Sequence, residues 1–336
     1  MTHTDVEWRA LHTKVKQLVP KRLGPMMIIV GSPGLSLNLL IGANIFRLQQ
    51  AATVVASPSE ELLAEFYSYL VRSKIRINIY DYVDSDSDDD VNDIDEDEDM
   101  EEDDDEGAAE LERARQAISL IFREVLLKLI PLVGAPRVLC ALIPLANAEG
   151  NVKAKAANSE LDDRWDNMDH LDAEVFYQRG ERTMKAIYGT SLLPKIFDSF
   201  GDHKEDISFH EIFAVYGLFL SDYAILTPIQ TEAVVYATIS SLGLGAPGTL
   251  HLRGMGRILG ASGQDTQSDE AEQIITQLTN LREAVMEIIR FVGDDYATRA
   301  RLDKWATVDS MLREFGGWGE KETLNQHFKE FYPGRI

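Results

Sequence analysis

Glu232 and His251 are the two residues of this sequence whose types and spacing best suit proton transfer. Glu232 lies in a helical pattern that starts at Thr227-Pro228, and His251 follows 19 residues later in a second helical pattern. A tight turn at Gly245–Pro247 separates the patterns, so a helical hairpin can bring the two side chains together. A carboxylate beside an imidazole fixes its tautomer and raises its basicity, which suits acid/base chemistry. The alternative is a solvated glutamate and a histidine that only packs.

The sequence supports two other kinds of site, a dinucleotide site and a metal site, less well. The pattern GxGxxG at Gly243–Gly248 would indicate a dinucleotide site with Asp265 on the ribose, but a proline interrupts the loop and alternating strands are lacking. Among the seven histidines only His203 and His210, with Glu211 adjacent, lie near each other, which is too little for a ligand cluster. We therefore expect neither a cofactor nor a metal.

A short internal repeat relates this hairpin to an earlier part of the chain. Gly134–Pro136 and Leu139 match Gly245–Pro247 and Leu250 at a constant offset of 111 residues. Each copy joins one helical pattern to another through a tight Gly-Pro turn. The repeat predicts two related halves that pack on each other, with Cys140 standing where the second copy has His251.

Helical periodicity dominates the remaining sequence and predicts an all-α fold of two related helical-hairpin halves. Strand signals are short, and the best of them covers 75–82. The predicted segments are an N-terminal helix (1–22), an apolar insert (23–50), a first half (51–146) interrupted by an acidic loop (84–106), a linker (147–165), a second half (166–293) and a C-terminal helical extension (294–336). The aromatic residues of this extension are typical of a segment that covers a core, and a docking surface is the alternative.

The net charge of -23 comes mainly from one segment. Residues 84–106 hold 17 acidic and no basic residues, which leaves 39 acidic against 33 basic residues elsewhere. Such a segment has too few apolar side chains to offset the entropy of ordering, so we predict a disordered loop. The remainder is only mildly acidic, which argues against binding nucleic acid through a basic surface.

The uncharged stretch 23–46 raises the question of a membrane span, here placed at 26–46. Ser32-Pro33-Gly34 would break a helix in its middle, and Asn38 and Asn44 would lack partners in lipid. We therefore expect no membrane span. The N-terminal residues do not resemble a targeting peptide, because Asp5 and Glu7 are acidic, and the single Cys140 weakly favours a reducing compartment. These features favour the cytoplasm.

The spacing around His251 resembles that of the carboxymuconolactone decarboxylase and alkylhydroperoxidase D-like superfamily. Its thiol peroxidases have a glutamate, then Cys-x-x-Cys twelve residues later, then a histidine four residues after the second cysteine. Counted from Glu232, the cysteine positions fall on Leu244 and Pro247 and the histidine on His251. The segment Leu250–Gly254 is similar to the L-H-[IL]-R-[AG] helix of the decarboxylase type. Tyr216-Gly217 is also similar to the family, and the resemblance covers about residues 170–293 best.

This resemblance implies an all-α protein that assembles as a homo-oligomer and acts on a small carboxylated substrate. It implies His251 and Glu232 as the acid/base pair, with Arg253 and Tyr216 as substrate-binding residues. Thiol-dependent peroxide reduction is not expected, because Cys140 alone cannot replace a nucleophilic and a resolving thiol. A non-catalytic helical scaffold or interaction protein is the alternative function, since the family's thiols are absent.

Overall fold

The computed structural model describes residues 3–18, 61–72, 104–150, 172–263, 266–292 and 307–319. These ranges are mostly helical and contain no β-strand, apart from an isolated bridge between Gly263 and Gly319, so the predicted all-α class is confirmed. The α-helices of these ranges are α1 (Asp5–Leu18), α2 (Leu62–Arg72), α3 (Asp104–Val133), α4 (Ala135–Glu149), α5 (Ala173–Tyr188), α6 (Leu193–Asp198), α7 (Lys204–His210), α8 (Pro228–Ser241), α9 (Gly245–Ile258), α10 (Asp269–Val292) and α11 (Val308–Phe315).

Helices α3 and α4 follow each other along the chain and pack together, and they are here called the first hairpin. Gly134 joins them with a φ of 86°, a left-handed conformation that favours glycine, and Pro136 lies in the first turn of α4. Helix α3 begins at Asp104, so the last three residues of the predicted acidic loop (84–106) are helical. Acidic residues stabilise the N-terminus of a helix, which explains why the end of the acidic run is helical.

Helices α8 and α9 form the second hairpin. The Thr227 hydroxyl accepts a hydrogen bond from the Gln230 backbone nitrogen, and the Gln230 side chain accepts one from the Thr227 nitrogen, which completes a capping box. Gly243 reverses the chain between the helices with a φ of 73°. The two hairpins pack together through α3 and α8. That the halves are related copies stays a prediction.

The buried apolar residues form two clusters. The larger cluster includes residues from α1, α2, α3, α8, α9, α10 and α11, and the stacked rings of Trp8 and Phe66 lie in it with centroids 5.1 Å apart. The smaller cluster lies mainly between α5, α8 and the segment Glu211–Leu220, and it contains Tyr188 and Tyr216. Of the predicted site residues, Tyr216 therefore lies in the smaller of the two cores.

The segment Glu211–Leu220 is helical, and its winding is that of a π-helix. Its C-terminal end continues the i to i−5 pattern, because the backbone nitrogen of Ser221 donates a hydrogen bond of 2.7 Å to the Tyr216 oxygen. π-Helices are rare and often occur at functional sites, because the wider turn redirects side chains.

Within the described ranges, none of the helices combines the length and the apolar character that crossing a bilayer requires. Several predicted features lie outside the described residues: the apolar insert 23–50, the strand signal 75–82, most of the acidic loop and most of the C-terminal extension. The first three residues of the predicted linker, Asn147–Glu149, belong to α4, and the remainder of that linker also lies almost entirely outside the described residues.

Candidate functional site

Glu232 and His251 are in direct contact. The Nδ1 atom of His251 lies 2.6 Å from Oε1 of Glu232, and both side chains are buried, with exposures of 4% and 2%. Each residue lies in the second turn of its helix, so the contact forms in the middle of the hairpin and away from the connecting turn. An ionised carboxylate can only accept hydrogen bonds, so Nδ1–H of His251 donates to Glu232, and the lone pair of the neutral ring lies on Nε2.

Gly254 makes room for this contact. A Cβ atom at this position would lie 2.8 Å from Oε1 of Glu232 and 2.6 Å from a methyl group of Ile187. Both distances are shorter than a carbon atom allows without movement of its neighbours. The absence of a side chain at Gly254 therefore lets the Glu232 carboxylate lie against α9, one helical turn after His251 on the chain.

Two tyrosines extend the contact on the other side of the imidazole. The Tyr188 hydroxyl lies 3.4 Å from Nε2 of His251 and 2.5 Å from the Tyr216 hydroxyl. With the lone pair on Nε2, the consistent arrangement has Tyr216 donating to Tyr188 and Tyr188 donating to His251. Burial raises the pKa of both tyrosines well above the ordinary value, so both hydroxyls stay protonated near neutral pH.

A close helix crossing brings the tyrosines together. Helix α5 and the π-helix cross at Gly180 and Gly217, where a Cβ at Gly180 would lie 2.7 Å from the Gly217 nitrogen. No side chain separates the two backbones at this point. The Tyr188 and Tyr216 rings consequently meet beyond the crossing, in an edge-to-face arrangement with centroids 6.1 Å apart.

Arg253 does not share the environment of His251. Two positions along an α-helix differ by about 200° in direction, so the two side chains leave α9 on different faces. The Arg253 guanidinium is buried and donates hydrogen bonds to the backbone oxygens of Tyr188 (2.9 Å) and Gly317 (3.3 Å), and it lies over the Phe315 ring. The geometry therefore favours a structural contact for Arg253 over the predicted substrate contact. The same planar fork that suits a carboxylate also suits two backbone carbonyls.

Sequence reasoning missed two residues of this site, Tyr188 and Glu211. Tyr188 is the last residue of α5, and nothing in the sequence links it to a histidine 63 positions away. Glu211 is the first residue of the π-helix and lies one turn before Tyr216. Burial raises the pKa of the Glu211 carboxyl, and His251 would partly oppose this rise when its ring is protonated. In the sequence, Glu211 stood out only as the neighbour of His210 in the weak metal hypothesis.

The metal hypothesis gains no support from the described residues. His203 and His210 are exposed, and no group of three or more metal-ligating side chains occurs within the ranges that the structure describes. Cys140 is exposed on α4, and Leu244 and Pro247 occupy the positions where a dithiol would lie. The site as described therefore consists of a carboxylate, an imidazole and two phenols, with a second carboxylate nearby.

Comparison with family models, with curated proteins and with solved structures finds no match to this chain. The family resemblance therefore rests on the motif residues around Glu232 and His251 and stays a prediction.

Proposed function

We propose that this chain is a divergent member of the carboxymuconolactone decarboxylase-like group that performs acid/base chemistry with His251, without a thiol and without a cofactor. The single observation that carries the proposal is the 2.6 Å contact between the buried Glu232 carboxylate and Nδ1 of His251. This contact fixes the tautomer with its lone pair on Nε2 and stabilises the imidazolium that forms when Nε2 accepts a proton.

The tyrosine pair supports the same chemistry. A neutral phenol beside Nε2 can donate a proton to the ring or a hydrogen bond to a developing negative charge, and both tyrosines remain neutral because burial raises their pKa. Electrostatic interactions between these groups are strong in a buried environment. Glu232 orients the ring, His251 transfers the proton, and Tyr188 completes a hydrogen-bonded chain that ends at Tyr216.

The resemblance implies a lyase reaction on a small carboxylated substrate. The predicted substrate contact of Arg253 stays a prediction, since its guanidinium already donates to two backbone oxygens. The function proposed here depends only on the proton-transfer residues.

The resemblance also implies a homo-oligomer, and the exposed face of α4 supports this expectation. Leu139 and Ile143 are 54% and 65% exposed, and Leu142 is also exposed on this helix. Large apolar side chains on one helix face favour association with another apolar surface. Light scattering on the protein and on an Ile143→Glu variant tests whether a second copy covers this face.

The enzymatic proposal is tested by turnover. The purified protein is incubated with γ-carboxymuconolactone and a panel of β-keto acids, and carbon dioxide release is measured together with deuterium incorporation by NMR. A general acid or base contributes about 10²–10⁴-fold, so His251→Ala should lower kcat by about that factor. Glu232→Gln should lower it as well, because an amide does not stabilise the imidazolium. His210→Ala, at an exposed histidine, serves as the matched control.

A non-catalytic scaffold is the second candidate. It is favoured by the burial of Glu232, His251, Tyr188 and Tyr216, each of which contacts the next in this order, so that they could form a purely structural polar network. In that case the protein turns over none of the substrates, and His251→Ala lowers the free energy of unfolding without removing any activity. Turnover that survives His251→Ala would also contradict the enzymatic proposal, because the reaction would then not depend on His251.

A further inference from the structure

Arg253 and Arg257 lie one turn apart on α9, and each connects the same two segments. On one side they reach the C-terminal end of α5: Arg253 donates to the Tyr188 oxygen at 2.9 Å, and Arg257 donates to the Ala186 oxygen at 2.9 Å. The last carbonyls of a helix have no intrahelical donors, so two buried guanidinium groups satisfy and neutralise this helix end.

On the other side the same arginines reach the segment 307–319, here called the C-terminal segment. Arg253 donates to the Gly317 oxygen at 3.3 Å, and Arg257 donates to the Trp318 oxygen at 2.8 Å. The two guanidinium groups therefore lie between the end of α5 and the C-terminal segment. Neither group can keep all of these hydrogen bonds if the C-terminal segment moves.

The C-terminal segment packs on α9 at Gly256, where the absence of a side chain leaves room for a large ring. The Trp318 ring is completely buried and covers Gly256, where an added Cβ would overlap the indole. The Trp318 backbone nitrogen also donates to the Gly263 oxygen at 2.8 Å, just beyond the end of α9. The segment thus contacts the helix that carries His251 along its second half.

Tyr188 is consequently held by α9 at both of its ends. Its carbonyl accepts from Arg253, and its hydroxyl lies 3.4 Å from Nε2 of His251. Gly189 follows with a φ of 91°, so α5 ends at Tyr188, and Arg253 supplies the donor that the Tyr188 carbonyl lacks within the helix. The distance between the phenol and the imidazole therefore depends on where Arg253 holds the backbone.

We propose that Arg253 is a positioning residue that sets the Tyr188 hydroxyl against His251, and that the C-terminal segment holds Arg253 in this position. The proposal rests on the proposed acid/base function, because positioning matters to a reaction only if His251 transfers a proton. It gives Arg253 a role through Tyr188 in place of a contact with the substrate. It also connects the C-terminal segment, which the sequence separates from the site, to the geometry of His251.

The test follows the Nε2 nitrogen of His251 by nitrogen-15 NMR of the full chain, with the signal identified by its loss in His251→Gln. Tyr188→Phe removes the phenol hydroxyl and defines the shift that a lost contact produces. Arg253→Lys keeps the charge but cannot reach both carbonyls. Gly256→Ala leaves Arg253 intact and displaces Trp318. Leu70→Ala removes a buried side chain of α2 in the larger apolar cluster and controls for lost stability alone.

We expect Arg253→Lys and Gly256→Ala to move the Nε2 signal in the direction of Tyr188→Phe, and Leu70→Ala to leave it in place. With an active protein, both variants should lower kcat by up to ~10²-fold with little change in KM, as a small misplacement of a reacting group does. A stability loss with an unmoved Nε2 signal overturns the proposal. If Arg253→Lys does not fold, Gly256→Ala decides alone.

The NMR result separates the two proposals, because it does not require turnover. A shifted signal in a protein that turns over no substrate keeps the positioning role and removes the acid/base function. An unmoved signal in an active protein keeps the function and removes the positioning role.

Discussion

The Lys128 ammonium lies 3.3 Å from the Glu124 carboxylate, and both side chains are buried in α3. The same Nζ atom donates to the backbone oxygens of Asp222 (2.6 Å) and Phe219 (3.3 Å) and lies over the Tyr223 ring. A buried ammonium requires this number of partners to offset its lost hydration. Helix α3 of the first hairpin thereby caps the end of the π-helix that carries Tyr216, so the first hairpin has a buried polar contact with this segment.

Replacing Lys128 should destabilise the protein strongly. Lys128→Met leaves the Glu124 carboxylate buried without its cation, and removing one partner of a buried pair costs about 3–5 kcal/mol of the free energy of unfolding. Urea denaturation measures the loss, with Lys185→Met as control, because Lys185 forms a half-exposed i,i+4 pair with Glu181. A Lys128→Met protein as stable as the control would mean that the buried pair adds nothing to the fold.

Gly254→Ala should disturb the contact between Glu232 and His251 by placing a methyl group against the carboxylate. The new methyl group would lie 2.8 Å from Oε1 of Glu232, so the carboxylate or Ile187 has to move. Crowding of a packed site costs about 1–3 kcal/mol, and we expect turnover to fall along with it. Ala246→Gly, an exposed change of one methyl group in the first turn of the same helix, should have little effect on turnover. Unchanged activity in Gly254→Ala would argue against the need for the contact.

Stability should fall with rising pH because of Glu211. Its pKa is raised above the ordinary 4.5, so the folded protein binds more protons than the unfolded chain in this window. Stability from this group is fully present below the ordinary pKa and is lost as the pH rises through the raised value. Glu211→Gln removes the effect, so the variant should gain stability relative to the natural protein between about pH 4 and neutral pH. If Glu211→Gln and the natural protein differ by the same free energy of unfolding at about pH 4 and at neutral pH, Glu211 is not the source of the pH dependence.

Alkaline titration should separate the tyrosines into two classes. Burial raises the pKa of Tyr236 to about 12, and burial raises the pKa of Tyr188 and Tyr216 as well. These three hydroxyls should ionise late, as measured by tyrosinate absorbance, and stability from them should be lost as the pH rises through the raised values. Tyr188→Phe and Tyr236→Phe should each remove one late group. Early ionisation of all 11 tyrosines below the unfolding pH would contradict the burial of these rings.

Cys140 should react freely in the folded protein and contribute nothing to activity. Its thiol is exposed on α4, so DTNB should modify one thiol per chain without denaturant. Cys140→Ser should keep the turnover of the natural protein. Efficient hydroperoxide reduction with a dithiol donor, lost on Cys140→Ser, would show that the chain is a thiol peroxidase after all.

The sequence was sufficient for those parts of the site that depend on nearby residues. The contact between Glu232 and His251 could be predicted, because one hairpin with a short turn joins them. The capping residue Thr227 and the helix end at Gly189 were predictable for the same reason, since both are local patterns.

The rest depends on contacts that no local pattern contains. The phenol of Tyr188 reaches that of Tyr216 because two glycines allow α5 to cross the π-helix closely, and hydropathy does not record that distance. The substrate contact predicted for Arg253 followed from the chemistry of guanidinium, which is equally suited to the backbone oxygens that Arg253 meets. The 3.6-residue turn of an α-helix cannot be distinguished from the wider turn of a π-helix in a segment as uniformly apolar as Glu211–Leu220.

The winding of Glu211–Leu220 also bears on how the chain length could change in evolution. Each of its backbone hydrogen bonds spans one more residue than in an α-helix, so the segment has spare chain for its number of turns. Loss of one residue between Glu211 and Tyr216 could therefore be absorbed by rewinding the segment as an α-helix, while its two ends stay attached. Such a deletion would spare the fold but turn Tyr216 away from Tyr188, which makes this the place where a descendant could lose the phenol pair in one step.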